Sequence, residues 1–226
     1  MDLQLENRVI LVVGGTGLIG RAVVERLRAE GAVAVPASRH GEDGVRLDAG
    51  SDDSVAAALE EVLERFGEID GLVIAAAPSA QTLDPARKSD PAQVLAAVDG
   101  KALRFVRVAN AVLPLMTDAG YGRIVGVSGQ NALQTGNLAG SVRNAALIIA
   151  AKNLADSAAG TGVTVNTVSP GIVSAAPSRD VRPGQGGQTS PADVADLIAF
   201  LVSPLAGTIS GESIAVGHRV RGVTSM

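Results

Sequence analysis

The turn Gly14-Gly15-Thr16-Gly17-Leu18-Ile19-Gly20 carries the clearest chemistry in this chain. It stands between an apolar run, Val9-Ile10-Leu11-Val12-Val13, and a stretch from Leu18 to Glu30 with apolar residues at helical spacing, so it leads a buried strand into a helix. Gly14 permits a tight turn, Gly17 lets the backbone approach a pyrophosphate, and Gly20 lets the helix pack closely on the sheet. The helix N-terminus offers free N–H groups and partial positive charge to the phosphates. The alternative is a glycine-rich turn that only packs. Groups able to move a proton are scarce. There is no cysteine, which removes thiolate nucleophiles, disulfides and zinc–cysteine sites; His40 and His218 stand in different loops, against a histidine metal site, and Tyr121 is the only tyrosine.

The elements that must position such groups alternate along the chain. Strand-like runs are expected at Arg8–Val13, Ala32–Pro36, Gly71–Ala75, Arg123–Val127, Val163–Val168 and Ser213–Val216. Helices are expected at Leu18–Glu30, Asp52–Phe66, Pro91–Met116 with a break near Gly100, Leu138–Ala159 and Pro191–Val202. This βαβα order implies an α/β fold: a doubly wound parallel sheet with helices on both faces and ligands at the carboxyl ends of the strands. The 226 residues suit one domain, 1–226. Residues 174–190, the only long irregular stretch expected, would border the site as a lid or substrate loop. The net charge is −4 and basic residues are scattered, which argues against nucleic acid as a partner. The start lacks a basic segment before its apolar run, and no apolar stretch is long enough to span a bilayer, so a soluble cytoplasmic protein with no membrane association is expected.

The glycine turn, Ser38-Arg39, Asp48, Asp70-Gly71-Leu72-Val73, Gly122-Arg123-Ile124-Val125, Val165-Asn166-Thr167-Val168-Ser169-Pro170-Gly171 and Ile209-Ser210-Gly211-Glu212 together resemble the short-chain dehydrogenase/reductase family over nearly the whole chain. The resemblance implies a single-domain Rossmann-type fold and a cofactor contacted by Gly14, Thr16, Gly17, Leu18, Ile19, Gly20, Ser38, Arg39, Asp48, Ala75, Ala76, Asn144, Pro170 and Gly171. Arg39 follows the second strand where an acidic residue would accept from a ribose 2′-hydroxyl, and a guanidinium suits a 2′-phosphate, favouring NADP over NAD. Asp48 matches an aspartate that binds the adenine amino group, with a helix-capping or loop role as the alternative. The family's Asn-Asn-Ala-Gly reads Ile74-Ala75-Ala76-Ala77 here.

By the same resemblance, the reaction needs a tyrosine hydroxyl and a lysine ammonium that lowers its pKa. Anchoring on Ala145-Ala146-Leu147 puts Gly140 at the tyrosine, Asn144 at the lysine, Gly129 at the serine and Asp99 at the helix asparagine. All four are changed. Tyr121 precedes its strand and stands at the amino end, about 20 Å from the carboxyl edge. Lys152 lies about 12 Å along the helix from Asn144 and faces solvent. The catalytic candidates left are Asp99 as an acid or base, with a structural, solvated aspartate as the alternative, Ser128 as a polar contact, Arg143 as an anion or carboxylate anchor, and Asn144 as a ribose contact. Three functions remain open: an NADP oxidoreductase acting on a small carbonyl or alcohol, a non-catalytic cofactor-binding sensor or partner subunit, and a non-redox cyclase, dehydratase or isomerase. Helices Pro91–Met116 and Leu138–Ala159 carry more apolar residues than one buried face requires, and the matching family helices form a subunit interface, so a homodimer or homotetramer is expected.

Overall fold

A computed structural model describes residues 2–41, 43–78 and 82–222. The first half runs β1 (Val9–Val13), α1 (Leu18–Ala29), β2 (Val33–Ser38), β3 (Val45–Arg46), α2 (Asp52–Phe66), β4 (Gly71–Ile74), α3 (Pro91–Val98) and α4 (Arg104–Asp118). The second half runs β5 (Gly122–Val127), α5 (Leu138–Ser157), β6 (Val163–Pro170), β7 (Ile172–Val173), β8 (Gln188–Thr189), α6 (Pro191–Leu201) and β9 (Ser213–Val216). Seven strands form one parallel sheet in the order β3-β2-β1-β4-β5-β6-β9, and β7 pairs with β8 in a separate small sheet. The order reverses between β1 and β4, which opens a crevice at their carboxyl ends.

Alternation along the strands feeds two cores. Val9, Leu11 and Val13 face a layer built with Val55 and Val62 of α2, Phe105 and Val112 of α4, and Leu147 and Ala151 of α5. Ile10 and Val12 face the other layer, with Val23 and Leu27 of α1 and Val194 and Ile198 of α6. Both sheet faces are therefore buried, which is why the central strands read as continuous apolar runs.

Helix starts follow local chemistry. Ser51, Asp90 and Asn137 accept first-turn N–H groups of α2, α3 and α5 through their side chains, and Ser190 with Asp193 closes a capping box on α6. Helix α1 begins at Gly17 and has no side-chain cap. Its first-turn N–H groups stay available to a ligand.

Three sequence expectations need correction. The short strand β3 and the β7–β8 pair were not expected; each is two residues long, too short to show a period. Part of 174–190 is thereby ordered, since β8 aligns Gln188 and Thr189 with Ile172 and Val173. The break near Gly100 is not a break: Asp99–Leu103 form one π turn joining α3 to α4. A π turn admits an extra residue and re-aims the side chains that follow.

Candidate functional site

At the crevice, Gly14, Gly15 and Gly20 of the turn have no room for a side chain. Gly14 has φ +84°, and a Cβ on it would lie 2.6 Å from the Ala76 backbone nitrogen. A Cβ on Gly20 would lie 2.0 Å from the Gly14 carbonyl oxygen, so α1 packs directly on the turn. Ala75 follows β4 and donates its N–H to Val13 O at 2.9 Å, which brings Ala75 and Ala76 beside the turn. At the end of β2, the Ser38 hydroxyl accepts from Gly41 N at 3.2 Å, while Arg39 is exposed and has no partner among the described residues. Asp48 is half-buried; its Oδ1 accepts from Gly50 N at 2.9 Å, leaving Oδ2 open. The Asp48 turn thus serves the loop and leaves an oxygen for a ligand.

A cleft of about 710 Å³ continues from Ile19 of α1 across the carboxyl ends of β5 and β6. Its polar wall includes Lys101, Gln130, Asn131, Arg143 and Asn144, and Pro170, Gly171 and Ile172 close its far side. Gln185 and Gly186 reach it from the 174–190 segment, and Gln134 Nε2 donates to Gly184 O at 3.1 Å.

Lys101 is the group that sequence reasoning missed. It leaves the π turn rather than α5, and its side chain crosses to the position expected of the family's lysine. There Nζ donates to Asn144 Oδ1 at 2.6 Å and to Ser128 O at 2.9 Å. An ammonium has three N–H donors, so one remains for whatever enters the cleft. Burial, with added repulsion from Arg143, pushes Lys101 down from 10.5 to about 7. The signal in the sequence was faint: a lone lysine between Gly100 and Ala102 in an apolar stretch, its direction set by a helical irregularity.

Asn131 fills the space left by the changed serine and tyrosine. A Cβ on Gly129 would lie 3.1 Å from Asn131 Oδ1, and one on Gly140 would lie 3.1 Å from Asn131 Nδ2 and from Asn137. Asn144 Nδ2 donates to Asn131 Oδ1 and to Gly140 O, the latter at 2.9 Å. Both amide hydrogens are used within the protein, so Asn144 acts as a holder of Lys101 rather than as a donor to a ribose.

The other candidates separate. Asp99 is exposed and does not line the cleft, because the π turn directs Lys101 inward instead. The Ser128 hydroxyl donates to Asn144 O at 3.0 Å, which ties strand end to helix and leaves no hydroxyl proton for a substrate. Arg143 is 5% exposed, donates from Nη1 to Pro78 O at 3.2 Å and leaves its buried Nε without a partner. Pro170 and Gly171 line the cleft, and a Cβ on Gly171 would lie 2.0 Å from Gly187 O. Tyr121 is far from this chemistry: Arg8 and Arg123 each stack on its ring at 4.4 Å, and Arg8 pairs with Asp70 at 2.6 Å. Lys152 is exposed and paired with Asp156. Among the described residues, no cluster of His, Cys, Asp or Glu could hold a metal, and no helix is long and apolar enough to cross a membrane.

The doubly wound sheet, the crowded glycine turn and the crevice define a Rossmann-type α/β protein. The chain belongs to the short-chain dehydrogenase/reductase family of oxidoreductases: the family model described as enoyl-(acyl carrier protein) reductase matches residues 17–218. It is 31% identical over 251 residues to the 3-oxoacyl-[acyl-carrier-protein] reductase FabG of Aquifex aeolicus, covering 96% of this chain and 98% of that one. It is 29% identical to the protein of the same name from Vibrio cholerae, covering 95% and 97%. Among solved structures, the ligand-free aldohexose dehydrogenase of Thermoplasma acidophilum superimposes with a TM-score of 0.82 at 23% identity, covering 100% of this chain and 99% of that one.

Proposed function

We propose that this protein is an NADP-dependent oxidoreductase of small carbonyl compounds or alcohols in which Lys101 moves the proton. The observation that carries the reading is the buried Lys101 ammonium in the cleft that Ile19, at the end of the glycine turn, also lines, with one N–H uncommitted. The residues present fit the cofactor. Uncapped α1 and the glycines of the turn suit a pyrophosphate, Arg39, unpaired among the described residues, suits a 2′-phosphate, and the open Asp48 oxygen suits an adenine amino group. When bound, a reduced nicotinamide supplies hydride to the substrate carbon.

The residues of the chain do the rest. Lys101 Nζ, held by Asn144 Oδ1 and Ser128 O, gives its proton to the carbonyl oxygen in reduction and takes it back in oxidation. A group that titrates near neutral pH does both with little driving-force penalty. Asn131 locks Asn144, and so fixes the ammonium. Residues 174–190 act as lid or substrate loop, with Gln185 and Gly186 over the cleft. Leu95 on α3 and Ile149 on α5, 68% and 62% exposed, support a homodimer or homotetramer through these helices in the cytoplasm.

The same amine, neutral above pH 7, also suits a non-redox reading in which it takes a proton from carbon, as an isomerase or dehydratase requires. Fluorescence titration with NADPH and NADH, followed by carbonyl screening, tests the assignment. Micromolar or tighter NADPH binding and oxidation of bound NADPH by a carbonyl compound are expected. Lys101→Met should lower kcat about 10²–10⁴-fold while NADPH still binds. No nucleotide binding at millimolar concentration refutes the cofactor, and binding with no redox change under any substrate selects the non-redox reading.

A further inference from the structure

Two buried basic side chains stand in the cleft with no anion beside them among the described residues, and hydride transfer to a neutral carbonyl does not call for both. Lys101 is 7% exposed and Arg143 5%, and they arrive from different elements, the π turn and α5. Among the described residues, neither joins an ion pair and no aspartate or glutamate lines the cleft. Arg143 spends one N–H on Pro78 O, and its buried Nε has no acceptor. A guanidinium taken out of water in this state carries a desolvation cost that an anionic ligand relieves. Beside them, Gln130 Nε2 is fixed on Val216 O and His218 O, both at 3.2 Å, while its buried Oε1 accepts nothing.

The glycine turn does not need these charges. Its phosphate site is the uncapped end of α1, and Arg21 already sits there, donating to Thr16 O at 2.8 Å. With one N–H given to Pro78, Arg143 keeps donors for two oxygens of a planar anion. The cleft of about 710 Å³ must hold both a nicotinamide and the substrate, so the substrate is small.

We propose that the cleft takes a substrate with a carboxylate near its reactive carbonyl, a short oxo acid or the matching hydroxy acid. Arg143 grips the carboxylate, and Lys101 faces the oxygen that gains or loses the proton. This rests on the hydride-transfer reading given above. In reduction the carbonyl carbon gains a hydride with its electron pair, the oxygen gains a proton from Lys101 Nζ, and one NADPH is oxidised per carbonyl reduced. The carboxylate is unchanged, and Lys101 regains its proton from water.

Calorimetric titration of the protein, free and loaded with NADP⁺, with pyruvate, 2-oxobutyrate and acetoacetate against neutral butanone and inorganic phosphate tests the assignment. The oxo acids should bind about 10- to 100-fold more tightly than butanone. Arg143→Gln should erase that advantage, and Arg143→Lys should keep part of it. Equal affinity for oxo acid and butanone overturns the proposal. So does phosphate binding more tightly than every oxo acid in an Arg143-dependent way, which points to phosphate esters. A tenfold loss of NADPH affinity in Arg143→Gln also overturns it, since Arg143 would then serve the cofactor. If Arg143→Gln does not fold, the ratio of oxo acid to butanone affinity in Arg143→Lys decides. Failure of NADPH to bind the wild type sinks hydride transfer alone, because oxo acid binding to the cofactor-free protein still reports on the anion site.

Discussion

Replacing Lys101 by methionine should change how stability depends on pH, and the size of the change follows from where the amine sits. Folded, burial and then Arg143 hold Lys101 at about 7, against 10.5 for an unburied lysine. Between these values the unfolded chain carries a proton that the folded chain lacks, so the stability of the wild type rises with pH through this window. Below about pH 7 both states are protonated and the slope vanishes; above about 10.5 both are neutral. The slope for one proton is about 1.4 kcal/mol per pH unit. From pH 7.5 to 9.5, wild type should gain about 2–3 kcal/mol relative to Lys101→Met. Methionine leaves Ser128 O and Asn144 Oδ1 without their donor, at about 1–3 kcal/mol each. That cost does not depend on pH and moves the whole curve without tilting it. Urea unfolding of both proteins at half-unit intervals, plotted as a difference, isolates the lysine because all other titrations cancel. A flat difference would show that Lys101 keeps its proton when folded, and would remove the basis for proton exchange near neutral pH.

Three further outcomes follow from the same geometry. Arg39→Ala should cut NADPH affinity about 10- to 100-fold and leave NADH nearly unchanged, because the exposed guanidinium has no partner to lose among the described residues; paired fluorescence titrations measure this. Asn144→Lys should not restore the family's usual site but lower activity by tenfold or more, since it removes the acceptor of Lys101 and sets a second ammonium against it; steady-state assays with a responsive carbonyl read the change. Leu95→Arg combined with Ile149→Arg should shift the protein to monomer in analytical ultracentrifugation, and an unchanged sedimentation coefficient would clear these positions of any interface.

The parts of the structure legible in the sequence are those fixed by local pattern. Helix α2 and strand β9 fall at their expected residues because Ser51, the acidic first turn, Gly67 and the short apolar run Ile214–Val216 are all local signals. The glycine turn was readable for the same reason, Gly14, Gly15 and Gly20 each being required by a near neighbour or by its own φ. The polar wall was not. Ser128 and Asn144 were found as residues, but their work is internal: one ties strand to helix and the other holds an amine. Asp99, the only nearby carboxylate, takes the solvated alternative to an acid or base role, and the π turn that carries it sends Lys101 inward instead. No periodicity assigns a helical phase across such a turn.

Lys101 meets Asn144 from 43 residues away, and three local features make that meeting possible. Gly100 lets the π turn approach Pro78, whose side chain would stand 3.2 Å from a Cβ there. Gly129 and Gly140 vacate space that Asn131 occupies, and Asn131 then orients the Asn144 amide so that its oxygen faces the incoming ammonium. Each step looks like a loss when the positions are compared singly with the family pattern, yet together they keep a cation at the carboxyl end of β5 and change only the helix that supplies it. A lysine that assisted a tyrosine would need to remain charged, whereas one acting alone must exchange its proton near neutral pH. Burial beside Arg143 supplies that difference, because the guanidinium stays protonated while the amine yields. The second cation therefore has two consequences at once: it lowers the Lys101 pKa in the empty cleft, and an anion bound to it would raise that pKa again. Substrate binding would thus protonate the group that the reduction requires.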